Sequence, residues 1–237
     1  MVSGVIGVID SGIGGLSVLK ELYKTVKGET FVYLGDNENV PYGNKSLREL
    51  KTLANNLTLN LAEYSPKCII LACNTLSLTV REDVEKFAGV PVFGVFPPVE
   101  TVKLKGENSV LIATERTCEK YKEDSVLKVI PCKTLARDIE ENKFSLEKYK
   151  VNVNGEKTKA DTVILGCTHY EFIKNKLIDH FNAKSCVSGS INTLKTVNKW
   201  LKTLKTTKKG RKNQIIFIGR AAEENKKFWD KVVLDGC

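Results

Sequence analysis

The sequence predicts an α/β protein with two similar three-layer halves, in which mainly parallel sheets lie between helices. Three observations predict this class. Short apolar runs alternate with amphipathic segments of helical period, most of the runs have the length of buried strands, and two runs end near a cysteine that a small polar residue follows, at Cys73 and Cys167. Alternation of strands and helices is typical of parallel sheets covered on both faces.

Eight apolar runs are candidate strands because they are short and lie between turn-forming residues. In chain order they are Val5–Ile9, Phe31–Leu34, Cys68–Ala72, Val92–Val95, Val110–Ala113, Val126–Ile130, Thr162–Leu165 and Gln214–Ile218.

Two amphipathic stretches predict helices over Tyr170–Phe181 and Ser190–Lys205, and Ser190 is a candidate N-cap of the second. The apolar stripes behind these predictions are Tyr170, Ile173, Leu177, Ile178 and Phe181 in the first helix, and Ile191, Leu194, Val197, Leu201 and Leu204 in the second.

The positions of four strand ends predict that the two halves are related by pseudo-twofold symmetry. Asp10 ends a strand 63 residues before Cys73, and Thr114 ends a strand 53 residues before Cys167. Ligands of parallel sheets bind at the carboxyl ends of the strands. Two facing halves would therefore bring these four residues into one cleft.

The domain boundaries follow from the same pattern. We expect a first domain of residues 1–95 together with 189–237, because the last helix, strand and helix return to complete the first half. The second domain is expected to cover residues 96–188.

Length and composition point to a soluble globular protein. The 237 residues, 42% of them hydrophobic, are enough to bury a sizeable core. No apolar run reaches the about eighteen residues of a membrane helix, and the segment MVSGVIGVIDSG has no basic region or long apolar stretch typical of a secretory signal. We expect a cytoplasmic protein with no membrane partner.

The net charge of +9 does not predict a nucleic-acid partner. Residues 189–237 contain twelve Lys or Arg and four Asp or Glu, a balance of +8, which leaves +1 for residues 1–188. The densest part, Lys208-Lys209-Gly210-Arg211-Lys212, is not interleaved with aromatic residues that could stack on bases. A solvated loop is the expected structure there.

Seven cysteines without a C-x-x-C pair are expected to be reduced in the cytoplasm. Cys68, Cys118 and Cys186 are expected to be small buried groups. Zinc is a competing use of Cys73, Cys167 and His169, but Cys-x-His is an uncommon zinc spacing and no fourth ligand accompanies it, so no metal is expected. His180 is expected at the surface.

The turn DSGIGGLS, Asp10 to Ser17, allows a second interpretation. It resembles the G-x-G-x-x-G phosphate cradle, with Asp36 at the end of the next strand as a ribose-binding acid. However, Ser17 stands where that pattern has Gly or Ala, and the carboxylate of Asp10 would repel a pyrophosphate. A nucleotide-binding module therefore remains the alternative from another functional class.

Cys73 and Cys167 each follow a buried run at the point where a helix is expected to begin. A helix N-terminus stabilises a thiolate, so we expect a lowered thiol pKa there. The N–H groups at Asn74–Thr75 and Thr168–His169 could bind a substrate carboxylate. Two cysteines at matching positions favour a functional pair over two core residues.

Four motifs in order resemble those of the glutamate racemases, in the aspartate/glutamate racemase superfamily. The resemblance runs from Val5 to about Phe181, and a closing segment FIGRAAEENKKFWDKV resembles the end of the family's chain. The motifs are GVIDSGIGGLSVLKEL, VPYGNKS, LACNTLS and LGCTHY.

The resemblance implies that the protein inverts the α-carbon of glutamate without a cofactor. It also implies that the D-glutamate formed is used for peptidoglycan. It implies that Cys73 is the base towards D-glutamate and Cys167 the base towards L-glutamate, and that in each direction the opposite thiol donates the returning proton. Asp10 would assist Cys73 and His169 would assist Cys167.

A further assisting carboxylate is implied at Glu140, with Glu141 as the open alternative. The family also implies a homodimer. The substrate contacts carried over by the resemblance are Asp10, Ser11, Pro41, Tyr42, Gly43, Asn74, Thr75, Thr117, Thr168 and His169.

The chain departs from the family pattern in its second half. Arg116 stands where the family often has Ala, and Val187-Ser188-Gly189 replaces an Asp-Ser-Gly segment. Other functions remain open beside glutamate racemisation: racemisation of another acidic amino acid such as aspartate, decarboxylation, which would need only one cysteine, or a racemase descendant kept for regulation.

Overall fold

A computed structural model describes residues 4–153, 158–204 and 211–234. Within them the chain forms two parallel sheets, each covered by helices, and the carboxyl ends of the central strands of the two sheets lead into one cleft. The predicted class, two parallel-sheet α/β halves with a cleft between them, is confirmed.

The first sheet has five parallel strands in the order β4-β3-β1-β2-β9. Its strands are β1 Val5–Asp10, β2 Thr30–Gly35, β3 Pro66–Leu71, β4 Val92–Gly94 and β9 Gln214–Phe217.

The second sheet has four parallel strands in the order β6-β5-β7-β8. Its strands are β5 Ser109–Ala113, β6 Leu127–Pro131, β7 Thr162–Gly166 and β8 Ser185–Ser188.

The two sheets have the same strand order. Read from the opposite edge, the second sheet runs β8-β7-β5-β6, which matches β4-β3-β1-β2 of the first sheet strand for strand. Strands β1 and β5 are equivalent, and so are β3 and β7, the strands that precede the two cysteines. The structure therefore contains the internal duplication that the strand ends predict.

Ten α-helices connect and cover the strands. Within the described residues they are α1 Gly15–Thr25, α2 Leu47–Ala62, α3 Asn74–Thr79, α4 Arg81–Ala88, α5 Val99–Lys103, α6 Glu115–Cys118, α7 Leu135–Glu141, α8 Lys174–Phe181, α9 Ser190–Thr203 and α10 Ala222–Phe228. Segments of 3₁₀-helix cover Asn37–Asn39, Tyr42–Asn44 and Thr168–Ile173, and a π-helical segment covers Trp229–Leu234.

Alternate residues of the strands face two separate hydrophobic cores, which is why the strands read as continuous apolar runs. In β1, Ile6 and Val8 pack into one core, while Ile9 packs into the other. In β5, Ile112 and Leu111 divide in the same way. Each sheet is therefore the middle of three layers.

The strand β8 is missing from the prediction. Its four residues, Ser185 to Ser188, contain two serines and lie half-exposed or exposed at the edge of the sheet, so they do not form an apolar run. The eight predicted strands are present, with ends that differ by one or two residues.

Two helix predictions need correction. Residues 168–173 form a tight turn of 3₁₀ type, with the Tyr170 N–H bonded to the Cys167 carbonyl, and the α-helix begins only at Lys174. Gly189, not Ser190, occupies the N-cap position of α9, because the Ser190 hydroxyl pairs with that of Ser188 at 3.1 Å.

The C-terminal region holds two further outcomes. Ile191, predicted in the apolar stripe of α9, is 59% exposed, whereas Leu194 and Val197 are buried as expected. Lys208, Lys209 and Gly210 of the basic segment, and Lys205 at the end of the predicted helix, lie outside the described residues.

None of the helices in the described residues has the length and apolar character that crossing a bilayer requires.

Candidate active site

The carboxyl ends of β1, β3, β5 and β7 meet at a cavity between the two halves. The cavity is small, with room for about one water molecule. It is lined by Ser11, Pro41, Tyr42, Gly43, Cys73, Asn74 and Thr75 from the first half, and by Thr114, Ala136, Gly166, Cys167 and Thr168 from the second.

Cys73 occupies the N-cap position of α3 and is 5% exposed. Burial and the nearby charge of Asp10 raise the pKa of the Cys73 thiol to about 12, although the Leu76 N–H and the Ser11 hydroxyl act in the opposite direction. The prediction of a lowered pKa for this thiol is therefore wrong. The helix N-terminus has the expected effect, but desolvation of a sulfur enclosed by both halves is larger.

Cys167 begins a chain of polar contacts. Its Sγ lies 3.8 Å from Nδ1 of His169, whose Nε2 lies 2.8 Å from Oε2 of Glu140. The same Oε2 accepts the backbone N–H of Ile13 from the first half at 3.0 Å. Glu141 is exposed. The structure thus brings Glu140, and not Glu141, to the imidazole.

The imidazole of His169 is fully buried. Burial lowers its pKa, but the hydrogen bonds to Cys167 and Glu140 together outweigh burial and raise the pKa well above the usual 6.5. The histidine is therefore a cation near neutral pH. The imidazole is thus placed within reach of the Cys167 sulfur as a proton-exchanging group.

Asp10 is buried at the end of β1. Its Oδ1 accepts the Thr168 hydroxyl at 3.2 Å, and its Oδ2 accepts the Gly12 N–H at 3.2 Å. Burial raises the pKa of this carboxyl from 3.8 to about 6, and the nearby charge of His169 lowers it in part. Asp10 can therefore exchange a proton near neutral pH, as an acid–base group must.

Three threonines join the halves at one side of the cavity. The Thr75 hydroxyl lies 3.1 Å from that of Thr114 and 3.3 Å from that of Thr117. Thr117 is fully buried behind the cavity wall, where its hydroxyl contacts both Thr75 and Thr114. Asn74 lines the cavity, and its amide donates to the Val95 carbonyl at 3.1 Å. Neutral donors of this kind bind carboxylates.

Thr114 was not among the predicted contacts, although it lines the cavity. A signal for it existed, because Thr114 is the counterpart of Asp10 at the end of the equivalent strand. The contacts carried over by the resemblance include Thr117 of the same segment but not Thr114.

The segment Pro41–Gly43 closes the cavity on the side of the first half. Tyr42 donates its hydroxyl to Asp36 at 2.6 Å, and Asn39 donates its amide to the same carboxylate at 3.0 Å. A carboxylate with these partners is not free for a ribose. Gly43 lies so close to Thr114 that a Cβ at this position would come within 2.1 Å of it.

The glycine-rich turn is also covered. A Cβ on Gly12 would lie 2.3 Å from the Glu140 carboxylate, and a Cβ on Gly14 would lie 2.3 Å from the Thr168 hydroxyl. The glycines therefore allow the second half to approach the backbone closely, which leaves no open cradle for a pyrophosphate. Among the described residues, no group of three or more His, Cys, Asp or Glu is placed to bind a metal ion.

Comparisons with known proteins agree with this geometry. Residues 6–191 match the model of the Asp/Glu/Hydantoin racemase family. The chain is 36% identical to a glutamate racemase of Clostridium acetobutylicum over 206 residues, which cover 80% of each chain. It is 35% identical to a glutamate racemase of Clostridium botulinum, strain Loch Maree, over 214 residues and 83% of each chain.

A solved structure gives the same result. The crystal structure of glutamate racemase from Francisella tularensis in complex with D-glutamate superposes with a TM-score of 0.73 at 26% identity, covering 96% of this chain and 94% of that one. The resemblance seen in the four motifs is confirmed. The matched family model and the similar relatives, together with the paired strand ends, establish that this chain belongs to the Asp/Glu/Hydantoin racemase family.

Proposed function

We propose that the protein interconverts L-glutamate and D-glutamate by two-base proton transfer at the α-carbon. The observation that supports this most directly is that Cys73 and Cys167, contributed by different halves, line one small cavity. Inversion at carbon requires a base on one face and an acid on the other. Two equivalent thiols, one from each half, would supply both.

Cys167 takes the role of base towards L-glutamate in this proposal. The His169 imidazole lies beside its sulfur and can assist the proton transfer, and Glu140 holds the imidazole. Cys73 takes the role of acid in the same direction, because a thiol with a pKa of about 12 holds its proton near neutral pH. The proton leaves the α-carbon for Cys167 on one face, and the Cys73 proton goes to the opposite face.

The reverse direction requires Cys73 as the base towards D-glutamate. Asp10 assists, since its own pKa of about 6 lets it accept and return a proton beside Cys73. All proton transfers are then served by side chains of the chain itself, and the reaction needs no cofactor.

Glutamate is the proposed substrate because the cavity offers several neutral donors for two carboxylates. None of the described residues that line it is Lys or Arg, so the two ends of the substrate are bound by hydroxyl, amide and backbone N–H groups. The Francisella relative was solved with D-glutamate. The proposed contacts are Asp10, Ser11, Pro41, Tyr42, Gly43, Asn74, Thr75, Thr117, Thr168 and His169, to which we add Thr114.

The biological setting of the reaction is proposed from the family resemblance. We propose that the D-glutamate is used for peptidoglycan, that the enzyme acts in the cytoplasm, and that it works as a homodimer.

A heavy-water experiment tests the proposed function. The protein is incubated with L-glutamate in heavy water, without pyridoxal phosphate or added metal, and optical rotation and α-deuterium are followed together. We expect the rotation to decay to zero while deuterium enters the α-position, because the returning proton comes from a thiol that exchanges with solvent. L-aspartate and a nucleotide titration run in parallel, and neither racemisation of aspartate nor nucleotide binding is expected.

Cysteine variants assign the two bases in the same assay. Cys73→Ser and Cys167→Ser should each abolish inversion, whereas Cys186→Ser, half-exposed on β8 and outside the cavity, should leave it unchanged. Normal turnover by Cys167→Ser would disprove the two-base assignment, and stable rotation with the unsubstituted protein would disprove the racemase activity itself.

A further inference from the structure

We propose that Lys143 is a positioning residue for the L-glutamate side of the reaction, because it fixes the Glu140 carboxylate that holds His169. This inference rests on the proposed racemisation. It concerns a lysine outside the four motifs of the family resemblance.

Lys143 follows the end of α7 and turns back towards it. Its Nζ donates to the Glu140 carbonyl at 2.8 Å and lies 3.8 Å from Oε1 of the Glu140 carboxylate. It also lies 3.0 Å from the carboxylate of Glu224 on α10. The Lys143 side chain is 11% exposed, compared with 65% for Lys226, which also forms a carboxylate pair.

The two oxygens of Glu140 have unequal partners. Oε2 receives both the His169 imidazole and the Ile13 N–H, whereas Oε1 is buried without a hydrogen-bond partner among the described residues. A buried carboxylate oxygen without a donor is costly unless a cation lies near. The Lys143 ammonium is the cation that lies beside Oε1 in the described structure.

Lys143 therefore decides the orientation of the carboxylate. Further charged groups line the outer groove beside Glu140, among them Arg137 and Glu38. Without Lys143, Oε1 gains free energy by rotating towards that groove and its solvent, and this rotation moves Oε2 away from Nε2 of His169. The imidazole then loses the contact that orients it against Cys167.

The effect should be larger on one face of the substrate than on the other. The imidazole lies directly beside Cys167, whereas it acts on Asp10, the neighbour of Cys73, through its charge. Loss of Lys143 should therefore raise the barrier for proton transfer to and from Cys167 more than the barrier at Cys73.

Kinetic isotope effects can separate the two faces where rates cannot. The two enantiomers of glutamate have equal free energy, so kcat/KM must fall equally in both directions for any variant. The deuterium effect on kcat/KM instead reports which proton transfer limits each direction. If the barrier at Cys167 rises, the isotope effect with α-deuterated L-glutamate becomes larger, because Cys167 removes that deuteron. The isotope effect with α-deuterated D-glutamate becomes smaller, because removal of its deuteron by Cys73 limits the rate less.

The experiment compares Lys143→Met, Lys143→Arg and a matched control, Lys226→Met, with the unsubstituted protein. Isotope effects are measured with α-deuterated L-glutamate and α-deuterated D-glutamate. For Lys143→Met we expect kcat/KM to fall roughly tenfold, within the up to about 100-fold cost of a misplaced catalytic group. The ratio of the L-effect to the D-effect should rise. Lys143→Arg should restore both values in large part, and Lys226→Met should change neither.

An unchanged or lower ratio of the two isotope effects in Lys143→Met would overturn the inference, whatever the loss of rate. In that case Lys143 would only connect α7 to α10, and its loss would reduce the amount of active protein without changing the relative barriers of the two proton transfers. This result is distinct from failure of the proposed function, in which the unsubstituted protein would not racemise glutamate.

Discussion

Three titratable side chains are buried where the two halves meet: Asp10, Cys73 and His169. Burial shifts the pKa of each one in the direction that disfavours its charged form. For Asp10 and Cys73 the charged form is the anion, so burial raises both pKa values, to about 6 and about 12. For His169 the charged form is the cation, and burial alone would remove it. Glu140 and Cys167 reverse that outcome. The resting site therefore has a protonated thiol on one side and a cation beside the other.

The buried carboxyl of Asp10 should make the protein less stable as the pH rises. Its folded pKa of about 6 lies above the unfolded value of 3.8, so the folded state binds the proton more tightly, and this contribution to stability is lost as the pH rises through about 6. Asp10→Asn removes the effect. We expect the variant to gain up to about 3 kcal/mol over the unsubstituted protein between pH 4 and pH 7, at 1.36 kcal/mol per pKa unit.

Urea unfolding of both proteins across this pH range measures the difference, and racemisation should fall in the same variant. A difference that does not change with pH would contradict the assigned pKa. A pH-independent offset is expected beside the change, because an amide oxygen can replace only one of the two oxygens that accept from Gly12 and Thr168.

The sequence carries the identity of these residues but not their protonation. Asp10, Cys73 and Cys167 could be predicted because each follows an apolar run, and the position of a strand end is a local property. The pKa of Cys73 depends on atoms of the second half that close over it, so a rule about helix N-termini gave the wrong direction. The choice between Glu140 and Glu141 likewise depended on which side of α7 faces inward.

At the scale of elements, the turn between β1 and α1 is packed directly against the turn after β7. Gly14 has helical backbone angles, so alanine would be acceptable there on conformational grounds. A Cβ at Gly14 would nevertheless lie 2.3 Å from the Thr168 hydroxyl and 2.5 Å from Nδ1 of His169. The glycine is therefore needed for contact between the halves, not for the turn itself.

Gly14→Ala should disable the site while leaving the two sheets intact. The added methyl must push back the turn that carries Thr168 and His169, and displacement of a catalytic group by about 1 Å can cost about 100-fold in rate. We expect kcat to fall by that order with little change in the far-ultraviolet circular dichroism spectrum. Gly106→Ala is the matched control: its positive φ of 68° adds strain, but open space surrounds it, so the rate should be preserved. Equal losses in both variants would mean that the effect is general destabilisation.

The elements that the sequence missed share a physical cause. Strand β8 is held by pairing with β7 and not by its own apolar residues, and its existence could be inferred only from its equivalence to β4. The 3₁₀ turn at Thr168–Ile173 replaces the first part of a predicted helix whose apolar spacing fits both structures. Local patterns identify which residues are buried more reliably than they identify how the chain turns between them.

At the scale of the whole molecule, the contacts between the halves surround the cavity on several sides. On the inner side, Glu140 accepts the Ile13 N–H and Asp10 accepts the Thr168 hydroxyl. On the outer side, Arg116 donates through Nε to the Lys45 carbonyl at 3.0 Å. The cavity has room for about one water molecule, whereas pockets that bind small ligands begin at about 300 Å³. We therefore expect the halves to separate when substrate enters, which requires the outer contacts to break.

Removal of the Arg116 contact should weaken substrate binding more than it slows the chemistry. Arg116 touches neither cysteine, and its guanidinium is partly exposed, so its hydrogen bond to Lys45 contributes about 1 kcal/mol to the closed form, or about fivefold. In Arg116→Ala we expect KM for both enantiomers to rise by about that factor with kcat unchanged or slightly higher, because opening to release product becomes easier. Arg220→Ala, which breaks an exposed pair with Glu38 away from the cavity, should change neither constant. A fall in kcat at constant KM would contradict this prediction. It would mean that Arg116 holds Thr117 and the proton-transfer geometry in place, and that closure of the cavity depends on the inner contacts alone.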